Sequence, residues 1–564
     1  MGFLPNRLGR AFVTPVASAA FAACLLLTPA TAQERLAASE GASLTDGTKP
    51  VAVVTIGSIN KMMADVNYIT GLVGQPQFGG MFSMMAGVYA NGMDMDEPIG
   101  VLVPMVNGMP EPIAVLPTSD VKAVLKRLEA QTGPVDELDD GTLVVTVGAN
   151  TVYIRQSGEK AIAARVPEVL ELVPASTSGL FAGMGNKYNV AIRLSIQQIP
   201  LEIRNVLIDQ MRQGFEQAMS QQPDGEATRD LAENSIAQLE TLINDADEVN
   251  FGFTIDQSAQ NFGFDFSFTA LAGTDMAAIY ASQESIPSQF SAVIQDGAAM
   301  YLHSATSVGP DAIDQAREGI DMSLGMVTNA MASEGNIPEA TLSKIEQYMS
   351  RFGKIIGDSI SEGKTDSGMI AKAGPNEFKM VFGTFVADGA EVAQLAKDLA
   401  KEVPDDPRAP KFSFDIGDYE GVTMHMVEVD VPASEEEVRA IFGEAIQVHI
   451  GTGPKAIYLA VGKGSKEAMQ ALIRSAGKDT NSDRPLSQMK VEILPILELA
   501  QSVKASDELA TIISALQGSG QKGTITIVGE SIPNGSSGKI RMGEGLLRAV
   551  GAGVMAQQQA NQPF

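Results

Sequence analysis

The sequence predicts an α+β fold made by tandem duplication: two similar units, each an antiparallel sheet packed with helices. Three observations predict it. Val152-Tyr153-Ile154, a polar turn and Lys160-Ala161-Ile162 recur as Val448-His449-Ile450, a turn and Lys455-Ala456-Ile457, at offsets of 296 and 295 residues (448 − 152 and 455 − 160). β-prone runs arrive as adjacent pairs and triplets joined by short polar turns, which is how hairpins and meanders read. Helical segments fall singly or in pairs between these meanders, an order that favours α+β over a doubly wound parallel sheet.

The N-terminus reads as an export signal. Arg7 and Arg10 precede an apolar run that continues to about Leu27, and Ala30-Thr31-Ala32 is a small-x-small cleavage site. Residues 1–32 are therefore expected to be removed, leaving the chain in the periplasm or at the cell surface. Cys24 lies inside the apolar run, which Leu25-Leu26-Leu27 continue, so it reads as part of that run and not as a lipid anchor. Without Cys24 the exported chain has no thiol for a disulfide, a nucleophile, a cysteine zinc site or an iron–sulfur cluster.

Residues 33–49 are polar and small and predict a flexible leader. Unit one spans 50–285. It opens with a strand over 51–56, after which Ser58 caps a helix beginning near Asn60. Strands at 99–105 and 112–116 follow, then a helix over 119–130 with Val121, Val124, Leu125 and Leu128 at helical spacing. A meander (142–147, 151–155, 160–164), a short helix at 166–173 and a strand at 189–196 come next. Two helices, over 201–219 and 227–243, and a hairpin of 248–254 with 261–269 close the unit.

Unit two spans 286–555 and repeats the order. It has a strand at 299–304, helices over 311–331 and 339–360, and strands at 368–373 and 378–385. A helix over 389–402 precedes a second meander (422–429, 447–450, 455–461), a helix at 466–475 and a strand at 489–493. One helix, over 506–516, then stands where unit one has two. The closing hairpin, 523–529 with 538–542, turns at Pro533-Asn534-Gly535-Ser536. Residues 556–564 predict a disordered tail.

Charge narrows the partners. The formal net charge of −28 repels phosphate backbones and anionic headgroups, so no nucleic-acid partner is expected. Beyond the signal no apolar run reaches the ~20 residues that span a bilayer; the nearest, Leu546 to Ala556, carries Arg548.

Catalytic signatures are sparse, and no cofactor, metal or catalytic residue is expected. The three histidines, His303, His425 and His449, all fall inside strands, where a structural hydrogen bond is the ordinary role. Ser58-Ile59-Asn60-Lys61 matches an S-x-x-K pattern, yet the same spacing recurs at places such as Ser119–Lys122 and Ser487–Lys490, and the companion motifs are missing. Gly535-Ser536-Ser537-Gly538-Lys539-Ile540 has a P-loop Gly-Lys pair, but Pro533 and Ile540 stand where glycine and Ser/Thr belong, so it reads as a turn.

One feature stands out. Met62, Met63, Met81, Phe82, Met84, Met85, Val88 and Tyr89 crowd an early helical stretch flanked by glycines. Flexible thioethers fill irregular cores, adapt to apolar ligands, or bind Cu(I) as in Met93-x-Met95. These eight residues are the candidate apolar ligand surface. The organisation as a whole resembles uncharacterised exported proteins of Gram-negative-type bacteria, the domain-of-unknown-function kind. That resemblance implies no site residue. The expected function is a non-catalytic envelope protein binding an apolar small molecule or a protein partner. The alternatives are an envelope hydrolase using carboxylates and a self-assembling envelope subunit.

Overall fold

The computed structural model describes residues 43–560 apart from 148–149, 178, 182, 221–235, 238, 334–338, 404–405 and 407–408. The expected export signal, most of the expected leader and much of the helix expected over 227–243 lie outside the described residues. The first half supplies β1 (Ala52–Ile56), β2 (Ile99–Val103), a small ribbon of β3 (Met105–Val106) and β4 (Met109–Pro110), β5 (Ile113–Pro117), β6 (Asp136–Glu137), β7 (Leu143–Val147), β8 (Asn150–Ser157), β9 (Lys160–Ala164), β10 (Val190–Ser195), β11 (Ala246–Asp256) and β12 (Asn261–Ala270). The second half supplies β13 (Met300–Ser307), β14 (Lys364–Gly374), β15 (Glu377–Phe385), β16 (Lys411–Tyr419), β17 (Val422–Asp430), β18 (Ala445–Gly453), β19 (Ala456–Gly462), β20 (Ser487–Glu492), β21 (Thr524–Ile532) and β22 (Gly535–Gly543).

All but the ribbon join one 20-stranded sheet, and its pairings are antiparallel throughout. The fold is α+β. From one edge inward the strands run β6, β7, β8, β9, β5, β2, β1, β10, β11, β12. From the other edge they run β16, β17, β18, β19, β15, β14, β13, β20, β21, β22. The two series meet where β12 pairs with β22, Asn261 opposite Gly543 through Thr269 opposite Gly535. The expectation of a separate sheet in each unit is thereby corrected. A strand whose edge was free would expose a row of unpaired N–H and C=O groups, and β12–β22 pairing satisfies both edges at once.

Most sequence-stretch expectations correspond to elements, and the departures have local causes. Ser58 does cap the first helix, α1 (Ile59–Leu72), its Oγ accepting from the Lys61 N–H at 3.2 Å. The region after β20 holds two helices, Ile493–Val503 and Asp507–Ser519, where one was expected. Pro495 reads as a breaker there, yet a proline in the first turn gives up an N–H that would have no helical partner. The expected leader is docked at its end: Leu44 is buried in the core and the Thr45 N–H donates to Leu172 O at 2.9 Å. The expected tail is helical as far as Ala560, in a helix that begins at Glu544.

Two cores lie on the same face of the sheet, one in each half. Val53, Leu102, Ile113, Val115 and Ile162 pack under Leu170, Leu180, Phe181, Met184 and Tyr188. Val381, Met424, Tyr458 and Ala460 pack under Phe290, Val293, Met469 and Leu472. On the opposite face the helix Val121–Thr132 lies over β7, β8 and β9, joining Val121 and Leu125 to Leu143, Val145 and Ile154.

Candidate apolar binding surfaces

The early methionine stretch folds as α1 followed by α2 (Pro76–Tyr89), an antiparallel helical pair. Its orientation is the reverse of an ordinary surface helix. α2 turns Gly79, Ser83 and Ala86 inward: Gly79 is buried, a Cβ there would stand 2.4 Å from Asn67 Oδ1, and Asn67 Nδ2 donates to Ser83 Oγ at 2.8 Å. The large side chains are left outside. Phe78, Met81, Met84, Met85, Val88 and Tyr89 are each more than half exposed, Met84 at 67%. Met62, Met63 and Phe82 are half-buried. Of the eight candidates, then, five form an open surface and three are half-buried, Met62 and Met63 on α1 and Phe82 on α2. α2 carries no charged residue, so nothing on it competes with an apolar partner.

α1 is held rigidly beneath α2. Asp65 is buried, and Lys61 Nζ donates to it at 2.7 Å, to Asn189 Oδ1 at 3.0 Å and to Ile255 O at 3.3 Å. Asn189 Nδ2 also donates to Asp65, and Gln257 Nε2 does so at 2.7 Å. The S-x-x-K pattern thus resolves into a helix cap and an anchor: the Ser58 hydroxyl accepts from the Lys61 backbone N–H, while the Lys61 ammonium is bonded to Asp65, Asn189 and Ile255. The far end of α1 is tied to the C-terminal helix, where the Tyr68 hydroxyl donates to Glu544 at 2.5 Å and Arg548 closes on the same carboxylate at 3.1 Å. Burial first, then the Glu544 hydrogen bond and charge, push the Tyr68 pKa up to about 12. That C-terminal helix adds exposed Val550, Val554 and Met555, the last lying against the α1–α2 turn at Gly74.

A second apolar surface, not anticipated from the sequence, lies in the middle of the sheet. On β10, β11, β12 and β22 the polar positions face the cores and the aromatic positions face outward. Arg193, Asn250 and Asp265 are buried, whereas Phe251, Phe264 and Phe266 are 51%, 46% and 39% exposed. Asp265 sits against Arg541 across the β12–β22 junction at 2.5 Å and accepts from the Tyr188 hydroxyl at 2.9 Å. Burial pushes its carboxyl pKa up, but Arg541, with Tyr188 and Lys187, outweighs burial and holds it below the usual carboxylate value.

Two of the three histidines, His303 and His425, are buried and hydrogen-bonded, and His449 is half-buried on β18. His425 accepts from the Asp415 N–H at Nδ1 and meets Thr452 Oγ1 at Nε2. His303 Nε2 lies 2.9 Å from Ser288 Oγ, which donates to Asp366 at 2.6 Å. The residue types are those of a catalytic triad, but the order is wrong. A serine nucleophile gives its proton to histidine, with the acid behind the histidine; here Asp366 takes the serine proton directly. All three side chains are buried. Among the described residues no three His, Cys, Asp or Glu side chains are grouped to hold a metal, and no helix is long and apolar enough to cross a membrane.

No family model matches the chain, and no curated protein does. A solved structure, crystal form IV of TP0453, is similar over 40% of this chain and 78% of its own, at 7% identity and a TM-score of 0.22. A likeness that distant carries no argument about fold or function.

Proposed function

We propose that this chain is an exported, non-catalytic envelope protein that docks an apolar partner on the surface made by α2 and the C-terminal helix. The observation that carries the reading is α2 itself, a charge-free helix with Gly79, Ser83 and Ala86 inward and Phe78, Met81, Met84, Met85, Val88 and Tyr89 outward. With Val550, Val554 and Met555 the surface exposes on the order of 800 Å² of apolar side chain, about one side of a standard protein–protein interface. Patches of that size on soluble proteins mark interaction sites. Side chains standing out from a helix in this way suit a protein groove better than a small molecule.

Export is part of the proposal and rests on Arg7, Arg10, the apolar run and Ala30-Thr31-Ala32. Duplication is another part. The identical strand order from each edge supports it, and so does pairing at one constant offset: Tyr153 opposes Ala164 as His449 opposes Ala460.

A photo-crosslinking amino acid at Met84 or Val88, compared with one at exposed Glu318, tests docking in the native envelope. A discrete adduct from 84 and 88 and none from 318 is the expected result; no site-dependent adduct removes the proposal. An adduct of twice the chain mass makes the partner a second copy.

A further inference from the structure

We infer that the aromatic stripe on the central sheet, formed by Phe251, Phe264 and Phe266 beside Val190, binds the hydrocarbon chain of a monomeric lipid. The stripe stands apart from the α2 surface and on different observations. Phe251 opposes Phe266 and Phe253 opposes Phe264 across β11–β12, and the Phe253 and Phe264 ring centroids are 5.0 Å apart. Phe266 packs over Gly538 on the next strand, its ring occupying the space where a Cβ would stand. The result is an aromatic stripe whose outward positions include no charged side chain from Val249 to Ile255, Phe262 to Phe268 or Ser536 to Met542. The ionic groups of these stretches, Asp265, Lys539 and Arg541, are on the other side.

Three facts select the occupant. The exposed apolar area of the stripe is on the order of 300 Å², well under the ~800 Å² per side of a stable protein interface. Two copies docking face to face would each bring a net charge of −28 and repel. The stripe's exposed side chains, Val190 and the three phenylalanines, carry no donor, acceptor or charge, and the one outward hydroxyl, Ser536, is buried and bonded to Tyr280. The stripe therefore reads neither a peptide nor a polar small molecule, whereas an alkyl chain asks only for apolar contact area.

The chain contains no tryptophan, so F251W and M84W each give a single reporter in the full-length protein, with an aromatic replacing an aromatic at the stripe. The probe is lysophosphatidylcholine carrying a brominated acyl chain, used below its micelle concentration, since bromine quenches tryptophan only on contact. The expected result is saturable quenching of Trp at position 251, reversed by unbrominated lipid, with position 84 unquenched. A second variant set, F264S and F266S in the F251W background, is expected to weaken that quenching at least tenfold while circular dichroism stays unchanged. No quenching at 251, equal quenching at 251 and 84, or quenching by brominated phosphatidylcholine vesicles alone would each overturn the inference. Failure here leaves the α2 proposal standing, because the crosslinking sites lie on other elements.

Discussion

His303 is enclosed beside Ser288, with Nδ1 facing no partner in a site that admits no water-exposed edge. Burial, with a smaller contribution from Arg484, lowers its pKa to about 4. The sign follows from linkage. Unfolded, the imidazole takes its proton near pH 6.5; folded, it resists until about 4, so the unfolded state binds more protons in between. Stability is therefore full above pH 6.5 and falls as pH drops toward 4, by at most about 3 kcal/mol from this residue. Urea unfolding at pH 7 and pH 4.5 should show the loss, and H303Q should show a smaller difference between the two. Equal slopes in both proteins would remove the assignment. Asp65 makes a simpler case. Replacing it with Ala leaves Lys61, Asn189 and Gln257 without their shared acceptor inside the fold, and D65A is expected to cost about 1–3 kcal/mol in urea unfolding, since Lys61 reaches solvent and its charge is not stranded. Neither site was visible in the sequence as a partnership: Asp65 and Asn189 are 124 residues apart, and no local pattern joins them.

At the scale of elements, the direction in which α2 faces is decided by side-chain size. Gly79 fits against α1 because nothing projects from it, and G79L would drive α2 off α1, costing about 1–3 kcal/mol. M84Q, on the open side, should change stability by no more than about 0.5 kcal/mol. Thermal denaturation of the pair tests the orientation, and a large loss for M84Q alone would reverse it. The β12–β22 junction has its own sensitive point. A Cβ at Gly535 would stand 2.0 Å from Phe268 O, so G535V must break the last rungs of that pairing.

The elements themselves were largely legible. Hairpins such as β21–β22 follow from β-prone runs around Pro533-Asn534, with Asn534 at φ 56°. β16 and the helix Glu436–Phe442 were not anticipated. β16 carries an irregular register between Ser413 and Gly417, which breaks the period-two pattern that announces a strand.

For the molecule as a whole, one sheet shared by both halves predicts one cooperative unfolding transition. Calorimetric and van't Hoff enthalpies should agree for the full chain, and two resolved transitions would show that the β12–β22 junction does not couple the halves. R541M is expected to lower the midpoint, because Asp265 would keep its charge in a buried site without the guanidinium that offsets it.

The sequence by itself determined the period of most elements, the order of those strands and helices, and the polar–apolar alternation along β11 and β12. These depend on neighbours a few residues away, which the backbone geometry of strand and helix brings into contact without further help. It did not determine which side of that alternation would meet water. Phe251 and Asn250 read as an outward and an inward residue in either sense, and the usual sense puts the phenylalanine inside. Tyr188 seated beside Asp265, and Arg541 arriving from a strand almost 280 residues further on, claimed the polar side for the interior. Only long-range packing could make that choice, since the free energy of burying a charge depends on the partner that meets it there.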